Sequence, residues 1–199
     1  MPLIISGAQP NTLPQSQLDG TYYPSGTTLE IASGATLSLA GTDLTATAAE
    51  INRTCDVSTR AVAAGGTLTL TEAAHGGKTI LLDTAAGSVV TLPAPVVGLR
   101  FRFLVSVKPT SNFHQVKVAS ASDIMAGGLR IVDLDGTADS AFPANGVDDD
   151  NVQLNGTTKG GQVGDWIELE GLTSTVWAIN GSLSCPTGSN PADMFSAAV

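Results

Sequence analysis

Charge is what this chain has least of. Charged residues make up 14% of its 199 residues, against about 25% in an ordinary soluble domain. A free monomer so poor in charge would be weakly solvated, so part of its surface is expected to be covered by partners. The basic side is scarcest: nine Lys and Arg stand against 18 Asp and Glu, a net charge of −9. Phosphate recognition needs clusters of Lys and Arg, so nucleic acid and anionic membrane surfaces are not expected as partners. Two cysteines, Cys55 and Cys185, are too few for a secreted disulfide scaffold. They read as two free thiols in a reducing compartment, with one bridge across the chain as the alternative. Neither has a His or a second Cys at metal-ligand spacing. No run approaches about 18 apolar residues, so no membrane-spanning helix is expected. Met1–Gly7 has neither a basic segment nor a long apolar core, which argues against a signal peptide and for production in the cytoplasm.

Glycine (22 residues) and proline (10 residues) are plentiful, which fits short strands joined by turns. The clearest pattern is a repeat: Thr28-Leu29-Glu30-Ile31, Thr36-Leu37-Ser38-Leu39 and Thr67-Leu68-Thr69-Leu70, each with a glycine close by. Period-2 alternation buries one face of a strand and wets the other. Strands this short do not stand alone in water, so these rungs need neighbours from the same chain or from other copies.

Four regions follow. Residues 1–25 carry Pro2, Pro10, Pro14 and Pro24 and read as an extended arm. Its apolar points Leu3, Ile4, Ile5, Leu13, Tyr22 and Tyr23 are expected to dock on a neighbouring subunit, together with Leu29, Ile31, Leu37 and Leu39 of the rungs. Residues 26–64 hold two rungs, a short helix and a linker. Thr47-Ala48-Ala49-Glu50 has the spacing of a capping box and predicts a helix of about two turns ending near Asp56. Residues 65–181 alternate in strands every 8–12 residues or so, which predicts a β-sandwich or jelly roll. The expected strands are 67–71, 78–82, 89–92, 100–107, 115–119, 129–133, 151–154, 166–170 and 176–180, the last two forming a hairpin. Residues 182–199 read as a coil-like tail. The fold class is therefore all-β: an extended N-terminal arm with short rungs and one helix, then a sandwich domain, trimeric through its rungs and low charge.

Chemistry-bearing residues are few. His75 and His114 have no nucleophile or metal partner in sequence and read as ordinary polar residues. The acid clusters Asp133-Leu134-Asp135-Gly136 with Asp139, and Asp148-Asp149-Asp150, read as solvated loops. Structural Ca²⁺ is the alternative, although the spacing is not that of an EF-hand. Asp165, Glu168 and Glu170 could supply paired carboxylates for glycoside cleavage. Glu168 and Glu170 share one strand face, which reads instead as a solvent-facing row. Trp166 and Trp177 could stack on sugar or serve as core and interface residues. No catalytic, metal or cofactor-binding set is assigned, and the chain is not expected to be an enzyme.

Leu44-Thr45-Ala46-Thr47-Ala48-Ala49-Glu50-Ile51-Asn52 resembles a segment that recurs in structural proteins of tailed bacteriophages. The stretch from Gly77-Lys78-Thr79-Ile80-Leu81-Leu82 through Gly164-Asp165-Trp166-Ile167-Glu168-Leu169 to Trp177-Ala178-Ile179-Asn180-Gly181 resembles a β-domain of phage virion proteins. The resemblance spans residues 44–181 and carries no catalytic residues. It implies a virion structural protein, often trimeric. The size and layout suit a capsid decoration (cement) protein, which binds the major capsid protein on the outer shell and stabilises the DNA-filled head. A short head or tail fibre binding a host surface glycan is the alternative.

Overall fold

The computed structural model describes residues 3–5, 29–31, 38–39, 41–46, 50–51 and 60–197. The chain divides into two compact units, Met1–Asn52 and Arg53–Val199.

In the first unit, β1 (Leu3–Ile5) pairs in parallel with β2 (Leu29–Ile31), Leu3 opposite Leu29 and Ile5 opposite Ile31. Strand β3 (Ser38–Leu39) turns back on β4 (Thr42–Asp43) through Gly41 at φ 81°. The start of the expected arm is thus a strand laid along the first rung of its own chain. Glu50 and Ile51 are helical, where the capping box predicts a helix. Leu13, Tyr22, Tyr23 and Leu37 of the expected interface, and Thr47–Ala49 of the capping box, lie outside the described residues.

The second unit is a sandwich of two mixed sheets. Its strands are β5 (Ala61–Ala63), β6 (Thr67–Thr69), β7 (Thr79–Leu82), β8 (Val89–Thr91), β9 (Arg100–Val105), β10 (His114–Lys117), β11 (Ile124–Asp133), β12 (Asp139–Asn145), β13 (Asn151–Leu154), β14 (Trp166–Gly171), β15 (Val176–Cys185) and β16 (Phe195–Ser196), with one turn of helix, α1 (Glu72–His75). Seven strands order as β12-β11-β15-β14-β9-β7-β5, and five as β16-β13-β10-β8-β6. From β5 to β10 the chain alternates between the two sheets, and each strand pairs in parallel with the next but one. The first half therefore winds like a two-sided solenoid, and the second half closes it with antiparallel pairs and the long parallel pair of β11 and β15.

Alternation explains the layering. In Arg100-Phe101-Arg102-Phe103-Leu104-Val105, the residues Phe101, Phe103 and Val105 are buried and the others face out. Ile80, Leu82, Ile167, Leu169, Trp177 and Ile179 add to this core from one sheet, and Val90, Val116, Val152 and Leu154 from the other. Trp177 packs against Phe101 with ring centroids 5.8 Å apart. Each such side chain, taken from water, contributes about 1.5–3 kcal/mol.

Three expectations need correction. The linker up to residue 64 contains β5, an edge strand of the seven-stranded sheet, because Val62 alternates with small Ala61 and Ala63. The third rung, Thr67–Leu70, lies in the sandwich as expected, as edge strand β6, and Thr71 leaves the strand to cap α1, accepting a bond from the Ala74 N–H at 3.3 Å. The tail from 182 holds the end of β15, where Leu183 and Cys185 are buried, and β16, which pairs with β13. The expected strands omit 139–145, which form β12; it carries Pro143 and stands as an edge strand, where a missing N–H costs nothing.

Candidate functional site: the open strand edges and the outer sheet face

The residues singled out for chemistry are largely occupied by structure. Trp177 is fully buried and its Nε1–H has no partner. Trp166 lies on the outer face, half-buried, with the Arg102 guanidinium 5.3 Å from its ring centre. Glu168 and Glu170 share that face and meet Arg100, at 3.6 Å from Nε and 2.6 Å from Nη2. The Glu170 hydrogen bond, and the charge of both carboxylates, raise the Arg100 pKa above its ordinary value. Asp165 is buried and builds a turn. Its Oδ2 accepts the N–H groups of Gly161 (2.8 Å) and Gln162 (3.0 Å), and its Oδ1 accepts the Ser184 hydroxyl (2.7 Å). Burial pushes its carboxyl upward against the pull of these bonds. Asp165, Glu168 and Glu170 therefore do not converge as a catalytic pair.

The acid loops are bound internally too. Asp133 accepts the Thr137 hydroxyl at 2.6 Å and the Ala138 N–H at 3.0 Å, which hold its pKa down at about 2. Asp139 pairs with Arg130. Among the described residues no three His, Cys, Asp or Glu side chains gather as a metal site. His75 Nδ1 accepts the Thr71 N–H at the start of α1. His114 is buried; its Nδ1 accepts the Ser88 N–H at 3.0 Å, so Nε2 carries the proton and donates to the Val107 carbonyl at 2.7 Å. Cys185 is a free, buried thiol, pushed up in pKa by burial and then by Asp133, Asp165 and Asp135. Cys55 lies outside the described residues.

Among the described residues, the surface with unspent bonding capacity lies elsewhere. Strands β5 and β6 end the two sheets at the same side of the sandwich, joined by only residues 64–66. Val89 N–H donates to Gly66 O and Leu70 N–H to Thr91 O, which fixes the parity of β6. Positions 66, 68 and 70 bond β8, and the N–H and C=O of Thr67 and Thr69 point to the open side. Thr79 N–H to Arg60 O and Ala64 N–H to Leu81 O do the same for β5, leaving the backbone of Ala61 and Ala63 outward. All four residues are exposed.

Natural sheets blunt such edges with charge, proline or extreme shortness. The opposite ends of both sheets do so: β12 has Pro143 and the Arg130–Asp139 pair beside it, and β16 has two residues. Residues 61–71 contain neither a charge nor a proline. An outer-face row, Ala63-Leu81-Leu104-Trp166, runs up to this edge from strand to strand. The repeat in the sequence pointed at β6; the missing charge over residues 61–71 was the further signal, and only the pairing order shows that both sheets end there. Comparison with protein-family models, with curated proteins and with solved structures finds no match.

Proposed function

We propose that this chain is a structural protein of a tailed-bacteriophage particle: a capsid decoration protein that binds the outer shell between major capsid subunits and stabilises the DNA-filled head. The observation that carries the reading is the pair of edges at β5 and β6, which carry neither charge nor proline. A chain with edges of this kind is built to gain strands from outside itself. The described strands of the first unit are three and two residues long, too short to be stable alone. The phage resemblance over residues 44–181 supplies the setting, and low charge suits a surface shared with neighbours. Self-association into a closed trimer would match three-fold positions of a shell. Contact area there adds about 25 cal/mol per Å² of apolar surface, repeated over many copies. The mechanism is physical and involves no reaction.

The alternative is a short head or tail fibre that binds a host glycan, favoured by the half-buried Trp166 on the open sheet face. Cryo-electron microscopy of particles carrying a C-terminal tag on this protein separates the two. Tag density repeated over the capsid surface is the expected result. Density confined to the tail or to one vertex moves the function to a fibre, and no density on purified particles overturns both readings. The Thr67→Pro/Thr69→Pro double variant tests the edges: it keeps the sandwich folded and loses binding to shells. Retained binding refutes a role for the β6 edge.

A further inference from the structure

Asn-Gly pairs are chemically labile, because a following glycine has no Cβ to hinder its backbone nitrogen from reaching the Asn side chain. The chain has three: Asn145-Gly146, Asn155-Gly156 and Asn180-Gly181. Sequence treats them alike, and the fold does not. Asn180 lies inside β15, paired with Glu168 on one side and Gly128 on the other. A Cβ built on Gly181 would meet Trp166 O at 2.5 Å and Leu129 Cδ2 at 2.8 Å, so that backbone has no room to pivot. Asn155 is half-buried, Gly156 is buried, and the Gly156 N–H is spent on Gly160 O at 2.7 Å.

Asn155 Oδ1, like Asn145 Oδ1, accepts backbone N–H groups, from Thr157 and Lys159 at 2.9 Å each, but Asn145 differs in its exposure and in its glycine. It is exposed, it is the last residue of edge strand β12, and Gly146 opens the following loop at φ 68°. Its Oδ1 accepts three backbone N–H groups, from Val147 (2.8 Å), Asp148 (3.1 Å) and Asp149 (3.2 Å). Three donors converging on a carbonyl oxygen stabilise the negative charge that forms there when a nucleophile adds to the carbon. The side-chain nitrogen, which would leave, donates to the Asp148 carboxylate.

We infer that Asn145 is a site of spontaneous deamidation that the fold selects from the three Asn-Gly pairs. The Gly146 backbone nitrogen attacks Asn145 Cγ, gives up its proton to solvent, and forms a five-membered succinimide. The Cγ–Nδ2 bond breaks, and the nitrogen takes up a proton and leaves as ammonia. Water then opens the ring at either carbonyl, giving Asp or iso-Asp. No redox partner is needed. The product has no Nδ2 donor for Asp148 and sets a new carboxylate beside Asp148 and Asp149. That loop is tied to the core, since the buried Met125 donates its N–H to Asp149 O at 2.7 Å. The modification therefore loosens one end of the seven-stranded sheet as the protein ages.

The test compares the whole chain folded and in urea, incubated at mildly alkaline pH and sampled over weeks by peptide mapping and mass spectrometry, with iso-Asp detected by its specific methyltransferase. In urea all three asparagines convert at similar rates. In the folded protein Asn145 converts, and Asn155 and Asn180 lag by more than about tenfold, because the Gly156 N–H is held by Gly160 O and the Gly181 backbone is packed inside the sheet, so each segment must first open. Conversion of Asn145 as slow as that of the other two in the folded chain overturns the inference. So does a lag at Asn155 and Asn180 that persists in urea. An Asn145→Asp variant that melts like the wild type would refute the loosening.

Discussion

Adjacent residues of β6 should respond in opposite ways to proline. Leu68→Pro removes an N–H that the register gives to Val89 O. The loss includes the ladder bond, net about 0.5–1.5 kcal/mol, and the stranding of an acceptor, about 1–3 kcal/mol. The two together come to about 1.5–4.5 kcal/mol. Thr69→Pro removes an N–H that no strand of the sandwich uses. Leu68, the residue before it, is already extended, as a residue preceding proline must be. Its cost stays within about 1 kcal/mol. Urea denaturation followed by Trp177 fluorescence measures both, since Trp177 reports on the shared core. The wild type and Thr69→Pro should share a midpoint, and Leu68→Pro should fall well below it. Equal destabilisation by the two prolines would refute the parity of β6 and with it the open edge.

Three further outcomes follow from buried groups. His114 is buried neutral, with its pKa pulled below the ordinary 6.5, chiefly by burial and against the bond to Val107 O. The unfolded chain therefore binds more protons between the two values, so stability is whole above about 6.5 and declines as pH falls through that interval. His114→Gln should flatten that part of a midpoint-against-pH curve. Asp133 sits at about 2, against an ordinary 3.8. Its share of stability is present above 3.8 and lost as pH falls toward 2, and Asp133→Asn should remove this second decline. Trp177→Ala should cost about 3–5 kcal/mol by opening a cavity beside Phe101, and Trp177→Phe less, since Nε1–H has no partner to lose; calorimetry distinguishes them.

The core was legible in residues that alternate without interruption. Arg100–Val105, Trp166–Glu170 and Val176–Asn180 each show one buried and one wet face, and each is a strand. What the sequence hid was pairing. Period-2 patterns say which residues face inward, but not whether a strand's neighbour is parallel, so the solenoid-like winding of β5 to β10 had no local signature. Strand β11 was half seen because Gly127-Gly128 looks like a break, although it pairs on both sides through those glycines. A sequence shows the charge of Asp165 and not its three donors, so a catalytic role stayed open there as an alternative. Trp177 is core, as one of its two readings had it, and the face of β15 that it occupies decides this.

Charge and edges answer one physical problem together. Copies of a chain with net charge −9 repel one another, and a surface where copies or shell subunits meet must avoid adding to that repulsion. Residues 61–71 are neutral, with Asp83 accepting the Gly65 N–H at 2.8 Å and Glu72 following directly; Glu168 and Glu170 lie against Arg100, Asp139 against Arg130, and Asp133 and Asp165 are folded into their own turns. Backbone hydrogen bonds at β5 and β6 carry no net charge, so a strand added there would meet no Coulomb penalty from the backbone itself. The same neutrality makes the free edge hazardous, because nothing on it prevents mispairing. Short strands limit the hazard: three residues in each edge give too little pairing to hold a random partner. They suffice only where a partner engages both sheets at once, which only a surface with two correctly spaced strands can do.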